Sequence, residues 1–425
     1  MVYRNIIRMV LVTVMLFDPA FSYSAEQVSL NALIDEALKN NPQIQAAQRR
    51  WEASQARVPQ AKSLDNPTIG ITFEKIPRGT VKLNKTMPED RMLTLSQFLP
   101  FFGKLKLKGQ IALVESQMVA AEYKNTELEI INQLKTAYYD LFMNAKEIEF
   151  LTESLKLLEG IAAVSESRYA VGDMRQEAVY KIHSEIAKLN TDIINLDQEK
   201  NFKETRINAL LNRDMESPLG QPDLNEDAGF HEDIDSLYRS ALDNQPELMI
   251  FSYAIEKNKH AKVLARKSSF PDLMGSIVQR GITAGSIGAW DMMLSFTAPL
   301  WFWTKQRYEV KESIANLEQA EAAYKAMKNK ALSEVKDLAM KLEVSKNTIN
   351  LYKTSLIPIL ESSIASSMAS YQSGQGDFMM LLDSQRMLVD TRMNYYQTLV
   401  DYNTNLADLE RALGGELSEV TKDDK

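Results

Sequence analysis

The stretch that decides the fold is RMLTLSQFLPFFGK, residues 91–104. Leu93 and Leu95 alternate with Thr94 and Ser96, the period of a strand with one apolar and one polar face. Pro100 ends that pattern, and past it a helical pattern runs from Lys104 to about Arg168. Just upstream, NPTIGITFE (residues 66–74) supplies a partner strand. There Ile69, Ile71 and Phe73 alternate with Gly70, Thr72 and Glu74, and a loop holding Pro77, Gly79 and Pro88 separates the two runs. The local unit is thus a strand hairpin that feeds a proline and then a very long helix.

That unit occurs twice. Asn41-Pro42 returns as Gln245-Pro246, Asn66-Pro67 as Phe270-Pro271, Leu95-Ser96 as Leu294-Ser295 and Pro100 as Pro299. Farther on, Arg168-Tyr169 through Gly172 returns as Ser370-Tyr371 through Gly374. Ala209-Leu210-Leu211 returns as Ala412-Leu413-Gly414. An offset near 200 residues is far beyond a solenoid repeat and marks a duplicated domain-sized unit. The expected organisation is a first repeat over 25–220, a second over 221–415 and a polar tail over 416–425.

Each repeat opens with an amphipathic helix interrupted by a proline. Leu30, Ile34 and Leu38 precede Pro42, and Ile44, Ala47 and Trp51 follow it; Ile234, Leu237 and Leu242 precede Pro246 in the second copy. The second hairpin comprises Leu273–Gln279 and a run in which Trp290, Met292, Leu294 and Phe296 alternate with Asp291, Met293, Ser295 and Thr297. Leu273–Gln279 is the least regular of the four. A helix from Lys104 to Arg168 is expected to reach on the order of 95 Å. Its heptad seam is Leu134, Leu141, Ile148 and Leu155; Val335, Leu342, Ile349 and Leu356 repeat it in register, with Tyr352 and Ile359 alongside. Turns at Gly172-Asp173 and at Gly374–Asp377 lead into returning helices with Ile182, Ile186, Leu189, Ile193 and Leu196, and with Tyr395, Leu399, Tyr402, Leu406, Leu409 and Leu413, at helical spacing.

Composition narrows the function. A formal charge of −8 and a pI near 5.3 argue against nucleic acid as a partner, which needs a basic footprint. Cysteine is absent, so disulfides, thiolate metal sites and a lipid-anchored N-terminal cysteine are not expected. Residues 1–24 read as a signal peptide: Arg4 and Arg8, an apolar Met9–Phe17, then small residues at Ser22–Ala25. No later apolar run approaches the roughly 18–20 residues of a spanning helix.

Four strands with one apolar face cannot close a barrel, which takes about eight or more, and an open sheet leaves adhesive edges. Neighbouring copies of the chain could supply the missing strands. A closed barrel with its apolar face outward is the one sheet architecture that spans a bilayer, and the polar helices could continue it as a water-exposed tube.

Strand pair, proline-led long helix, Tyr-x-x-Gly turn and returning helix, all twice, resemble the TolC-like outer-membrane efflux channels. Leu30–Pro42, QFLPFFGK (97–104) and YAVG (169–172) look like the family's signatures, and the resemblance covers nearly the whole mature chain. It implies a mainly α fold with a small β part. Long antiparallel coiled-coil hairpins form an α-barrel, and each chain gives four strands to an oligomeric transmembrane β-barrel. It also implies a homotrimer in the outer membrane, bathed in its lipid, with a periplasmic extension. The implied partners are a periplasmic adaptor (membrane fusion protein) and an inner-membrane efflux pump. QFLPFFGK looks more like the heavy-metal efflux branch than the drug branch.

In that family the hairpin tips meet the adaptor, and the matching residues are Tyr169, Gly172, Asp173, Tyr371, Gly374 and Asp377. A plainer reading is that the glycines only permit tight turns between helices. The family often narrows its entrance with acidic side chains just past the second tip. Asp383 matches one such position, whereas the other is Met380, which departs from the pattern. Met379, Met380 and Met387 near the same tip suit soft ions, but thioethers also fill helix interfaces. His183, His231 and His260 show no ligand spacing, no phosphate loop appears, and neither a catalytic site nor a cofactor is expected. Two other readings use the same features: a soluble periplasmic coiled-coil scaffold or adaptor, and a type I protein-secretion channel.

Overall fold

The computed structural model describes residues 29–76, 87, 90–172, 174–224, 229, 233–281, 288–373 and 378–415. The signal segment 1–24, the tail 416–425, Asp173, Gly374 and Asp377 lie outside them, as do Pro77, Gly79, Pro88, Gly285 and His231.

The element order runs twice through the same series. Helices α1 (Leu30–Asn40) and α2 (Pro42–Lys62) lead to strands β1 (Thr68–Phe73) and β2 (Arg91–Leu99), then to α3 (Lys104–Ala170) and α4 (Gln176–Leu211). Helices α5 (Ile234–Asn244) and α6 (Pro246–Lys267) lead to β3 (Leu273–Arg280) and β4 (Trp290–Phe296), then to α7 (Gln306–Leu351), α8 (Ile357–Gln372) and α9 (Phe378–Leu413). Pro42 and Pro246 each stand at the first position of a helix, where the missing N–H costs nothing. The Asn41 carboxamide caps α2, accepting from the Gln43 N–H at 2.8 Å, and donates to the Leu210 carbonyl at 2.8 Å, which ties this corner to the end of α4.

All four strands form one antiparallel sheet in the order β1-β2-β3-β4. Register decides its chemistry. Ile69, Leu95, Ile277 and Met292 stand opposite one another across the sheet, as do Leu99, Leu273 and Phe296. Those rows share one face, and its side chains, apart from a half-buried Leu273, are exposed, Ile69 and Leu294 each by 70%. The other face is more polar, with Thr68, Ser96, Ser276 and Met293 in one row and Gly70, Thr94, Val278 and Asp291 in another, and the Ser96 and Ser276 hydroxyls hydrogen-bonded at 2.9 Å. The irregular β3 remains mixed: Gln279 shares the face of Leu273 and Ile277, while Met274 and Val278 share the face of Ser276.

Helix α3, 67 residues long, spans about 100 Å and is the spine. It packs against α2 and α6 near the sheet and against α4 and α9 farther away, while α7 completes the row beyond α6 and α9. The mid-length core joins Leu134, Leu141 and Phe142 of α3 to Ile207 and Leu211 of α4 and Val400 of α9. A second core joins Val335, Leu338, Leu342 and Ile349 of α7 to Leu399, Leu409 and Leu413 of α9. Lys135 and Glu410 pair at 2.5 Å between α3 and α9, both largely buried, and so lock the two halves together.

The second long helix departs from the continuous seam that the heptads predict. Tyr352–Leu356 is a π-helical turn between α7 and α8. Pro358 lacks the N–H that would bond the Thr354 carbonyl, and the Ile357 N–H reaches back to Tyr352 instead. The wider turn shifts the phase of every later residue. Ile349 is buried, but Leu356 and Ile359 are exposed, and within α8 Tyr371 alone is buried.

Candidate channel gate

The far ends of the two helical hairpins come together in a small apolar plug. Leu158, Ile161 and Ala162 of α3 meet Ile182 of α4 and Tyr371, Phe378, Leu381 and Leu382 of α8 and α9. At the first tip Gly172 takes a φ of 81°, a left-handed value open to glycine, and its N–H donates to the Tyr169 carbonyl at 3.0 Å. A Cβ there would meet nothing within 4 Å, so the turn rather than crowding requires glycine.

The duplicated tyrosines part company. Tyr169 is 44% exposed, whereas Tyr371 is 3% exposed and buried in the plug. The Tyr371 hydroxyl and the Ser165 hydroxyl are hydrogen-bonded at 2.7 Å, and the Arg168 guanidinium lies 5.8 Å from the Tyr371 ring centre. Farther along, Arg386 of α9 pairs with Glu185 of α4 at 2.6 Å. Gln385 donates to the Ser154 hydroxyl at 3.1 Å, and Arg392 bridges Glu361 at 2.8 Å and Glu153 at 3.5 Å. These contacts hold the second tip against the first hairpin. Sequence spacing did not single out Ser165, Arg386 or Arg392, because their partners lie on another hairpin or, for Glu361 beside Arg392, on another helix of the same one.

Asp383, Met380 and Met387 lie on the face of α9 opposite Leu381, Leu382 and Leu388, and all three are exposed. Asp383 has no ion pair among the described residues. Those residues also contain no group of three or more His, Asp or Glu able to hold a metal, and His183 and His260 pair singly with Glu166 and Glu256.

Behind this latch of Arg386, Gln385 and Arg392 contacts a cavity of about 650 Å³ opens between α3, α4 and α9, lined in part by Glu147, Glu185, Lys188, Asp192, Arg386 and Asp390. Burial lifts the Glu147 carboxyl above its ordinary value of 4.5; Lys203 opposes the shift and Glu199 adds to it. The folded protein therefore holds this proton more tightly than the unfolded chain. Its contribution to stability is present at acid pH and fades as pH rises above 4.5 through the folded value. Glu147→Gln is expected to remove that fade, so the variant gains thermal stability relative to wild type as pH goes from acid to neutral. Thermal unfolding at several pH values measures it.

Among the described residues no helix is long and apolar enough to cross a membrane.

Comparison with known proteins places this architecture. Residues 33–213 and 237–415 each match the family described as outer membrane efflux protein. Over 393 residues the chain is 18% identical to the cobalt-zinc-cadmium resistance protein CzcC of Cupriavidus metallidurans, covering 92% of this chain and 91% of that one. It is 22% identical to the cation efflux system protein CusC of Escherichia coli K12, covering 91% and 86%. The crystal structure of the outer membrane protein VceC of Vibrio cholerae superposes with a TM-score of 0.76 at 18% identity, over 91% of this chain and 96% of that one. With the family matched in both halves of the chain, and the same fold found in VceC, this protein belongs to the outer membrane efflux protein family.

Proposed function

We propose that three copies of this chain close a single conduit, which passively carries solutes delivered by a periplasmic adaptor and an inner-membrane pump to the cell exterior. The observation that carries this reading is the open sheet: an apolar face with β1 and β4 as free edges among the described residues. One flank of the chain offers β1, α2 and α4, the other β4 and α7. Exposed apolar residues line both, including Tyr180, Ile194 and Phe202 on α4 and Val344 and Leu351 on α7. Unlike flanks that pair head to tail close into a ring, which removes the edges and covers the apolar residues together.

The exported class that fits best is metal cations, since CzcC and CusC are named for cation resistance and efflux. The conduit performs no catalytic step. The tips, with Tyr169, Gly172 and Asp173 on one and Gly374 and Asp377 on the other, receive the adaptor; Tyr371, expected from the sequence to join them, is instead buried in the plug behind the second tip. Asp383 would form a threefold carboxylate ring at the entrance, flanked by Met380, favouring cations over anions. Planar-bilayer recording tests both levels. The purified protein should give unitary conductance steps, and Asp383→Asn should lower the cation-to-anion permeability ratio. A protein that yields no steps is not a channel, and an unchanged ratio removes Asp383 from the gate.

A further inference from the structure

Although the chain carries a net charge of −8, its cations crowd one level of the molecule. The last turns of α2 and α6 and the first turns of α3 and α7 all abut the sheet. With their linkers, residues 57–65, 100–111, 259–272 and 299–311 hold twelve lysines and arginines against three carboxylates. Two of the carboxylates are occupied. Asp272 pairs with Lys104 at 2.8 Å, and Glu309 accepts from the Ser268 hydroxyl at 2.8 Å. Lys106, Lys108, Arg266, Lys305, Arg307 and Lys311 are exposed and have no ion pair among the described residues.

Aromatic side chains share this level. Phe102 is 83% exposed, and Trp301, Phe302 and Trp303 are exposed one after another. Internal bonds fix the height of the band. Phe101 stacks on Phe270 at 4.7 Å, and the Lys267 ammonium donates to the Phe102 carbonyl at 3.1 Å, in the space that the missing side chain of Gly103 leaves for it. Along the molecule the order is therefore apolar sheet face, exposed aromatics, exposed cations, then acidic helices. That is the order of hydrocarbon, interface and charged headgroups at a membrane boundary.

We propose that this collar binds the headgroups of anionic phospholipids in the leaflet that faces the periplasm, an inference that rests on the outer-membrane channel reading. Charge chooses the occupant: unpaired cations beside interfacial aromatics complement an anionic headgroup, whereas a zwitterionic one brings its own cation to the same place. The collar then fixes how deep the barrel sits, and with it the height of the tips below the membrane.

The test uses Trp301 and Trp303 at the collar, read in a background carrying Trp51→Phe and Trp290→Phe. Full-length protein is reconstituted into phosphatidylethanolamine vesicles with added phosphatidylglycerol, one lipid or the other carrying a brominated chain. Tryptophan emission is expected to be quenched more by the brominated phosphatidylglycerol, with a preference that shrinks as salt rises. Lys106→Gln, Lys108→Gln, Arg266→Gln and Arg307→Gln combined should weaken that preference by about fivefold or more. Equal quenching by both lipids at low salt, with channel conductance intact, would overturn the collar and leave the channel standing. Conductance absent from every vesicle would overturn the channel reading and the collar with it. Should the combined variant fail to conduct, the salt dependence of the wild-type preference decides alone.

Discussion

Leu95→Arg should abolish recovery of the protein in the outer membrane, whereas Thr94→Arg, one residue earlier, should leave it there. Leu95 stands in the row Ile69, Leu95, Ile277, Met292, on the exposed apolar face. Thr94 stands between Gly70 and Val278 on the face that carries the Ser96–Ser276 hydrogen bond and Asp291. A cation on the lipid face costs about 2–4 kcal/mol near the middle of the bilayer. In an assembly of identical chains every copy bears that cost. On the opposite face the same side chain reaches water. Density-gradient fractionation of membranes from cells expressing each variant reads the result. Equal recovery of the two would mean that lipid does not meet this face of the sheet, and the barrel would have to be abandoned.

Tyr371→Phe combined with Arg386→Ala is expected to leave the channel standing open. The first change removes the buried hydrogen bond to Ser165, and the second removes the ion pair to Glu185. Stranding a buried Ser165 hydroxyl costs about 1–3 kcal/mol, and a partly exposed ion pair adds up to about 1 kcal/mol. If these contacts exist only in the closed tip, their loss favours the open form by roughly tenfold or more. Tyr169→Phe provides the control, because Tyr169 is exposed and its hydroxyl has no role in the plug. Planar-bilayer recordings should show a higher open probability for the double variant alone. If the double variant and Tyr169→Phe conduct alike, the plug is packing and not a gate.

The contrast between Tyr169 and Tyr371 shows where sequence reading stops. Both precede a glycine by three residues, and nothing local separates them. Tyr371 is buried because α8 and α9 fold against α3, which brings Ser165 and Arg168 within reach across more than 200 residues. The π turn gives a second case. Pro358 is visible in the sequence, and so is a heptad that continues past it. Only the structure shows the lost N–H widening the previous turn and carrying Leu356 and Ile359 off the seam. The basic collar is a third case, since its twelve cations lie in four separate segments that only packing brings to one level.

The sequence by itself determined the elements and most of their faces: three clearly two-faced strands and one irregular one, proline-started helices, the heptad seams as far as Ile349, and their duplication. Periodicity is a local property, repeated every two or 3.6 residues, so it survives without knowledge of neighbours. Tertiary structure decided which element lies beside which. The pairing of β2 with β3, the burial of one duplicated tyrosine, the latch and the collar all depend on contacts between residues far apart in the chain. No local pattern encodes those contacts, because their free energy comes from the joint packing of long helices, above all of α9 on α3 and α7.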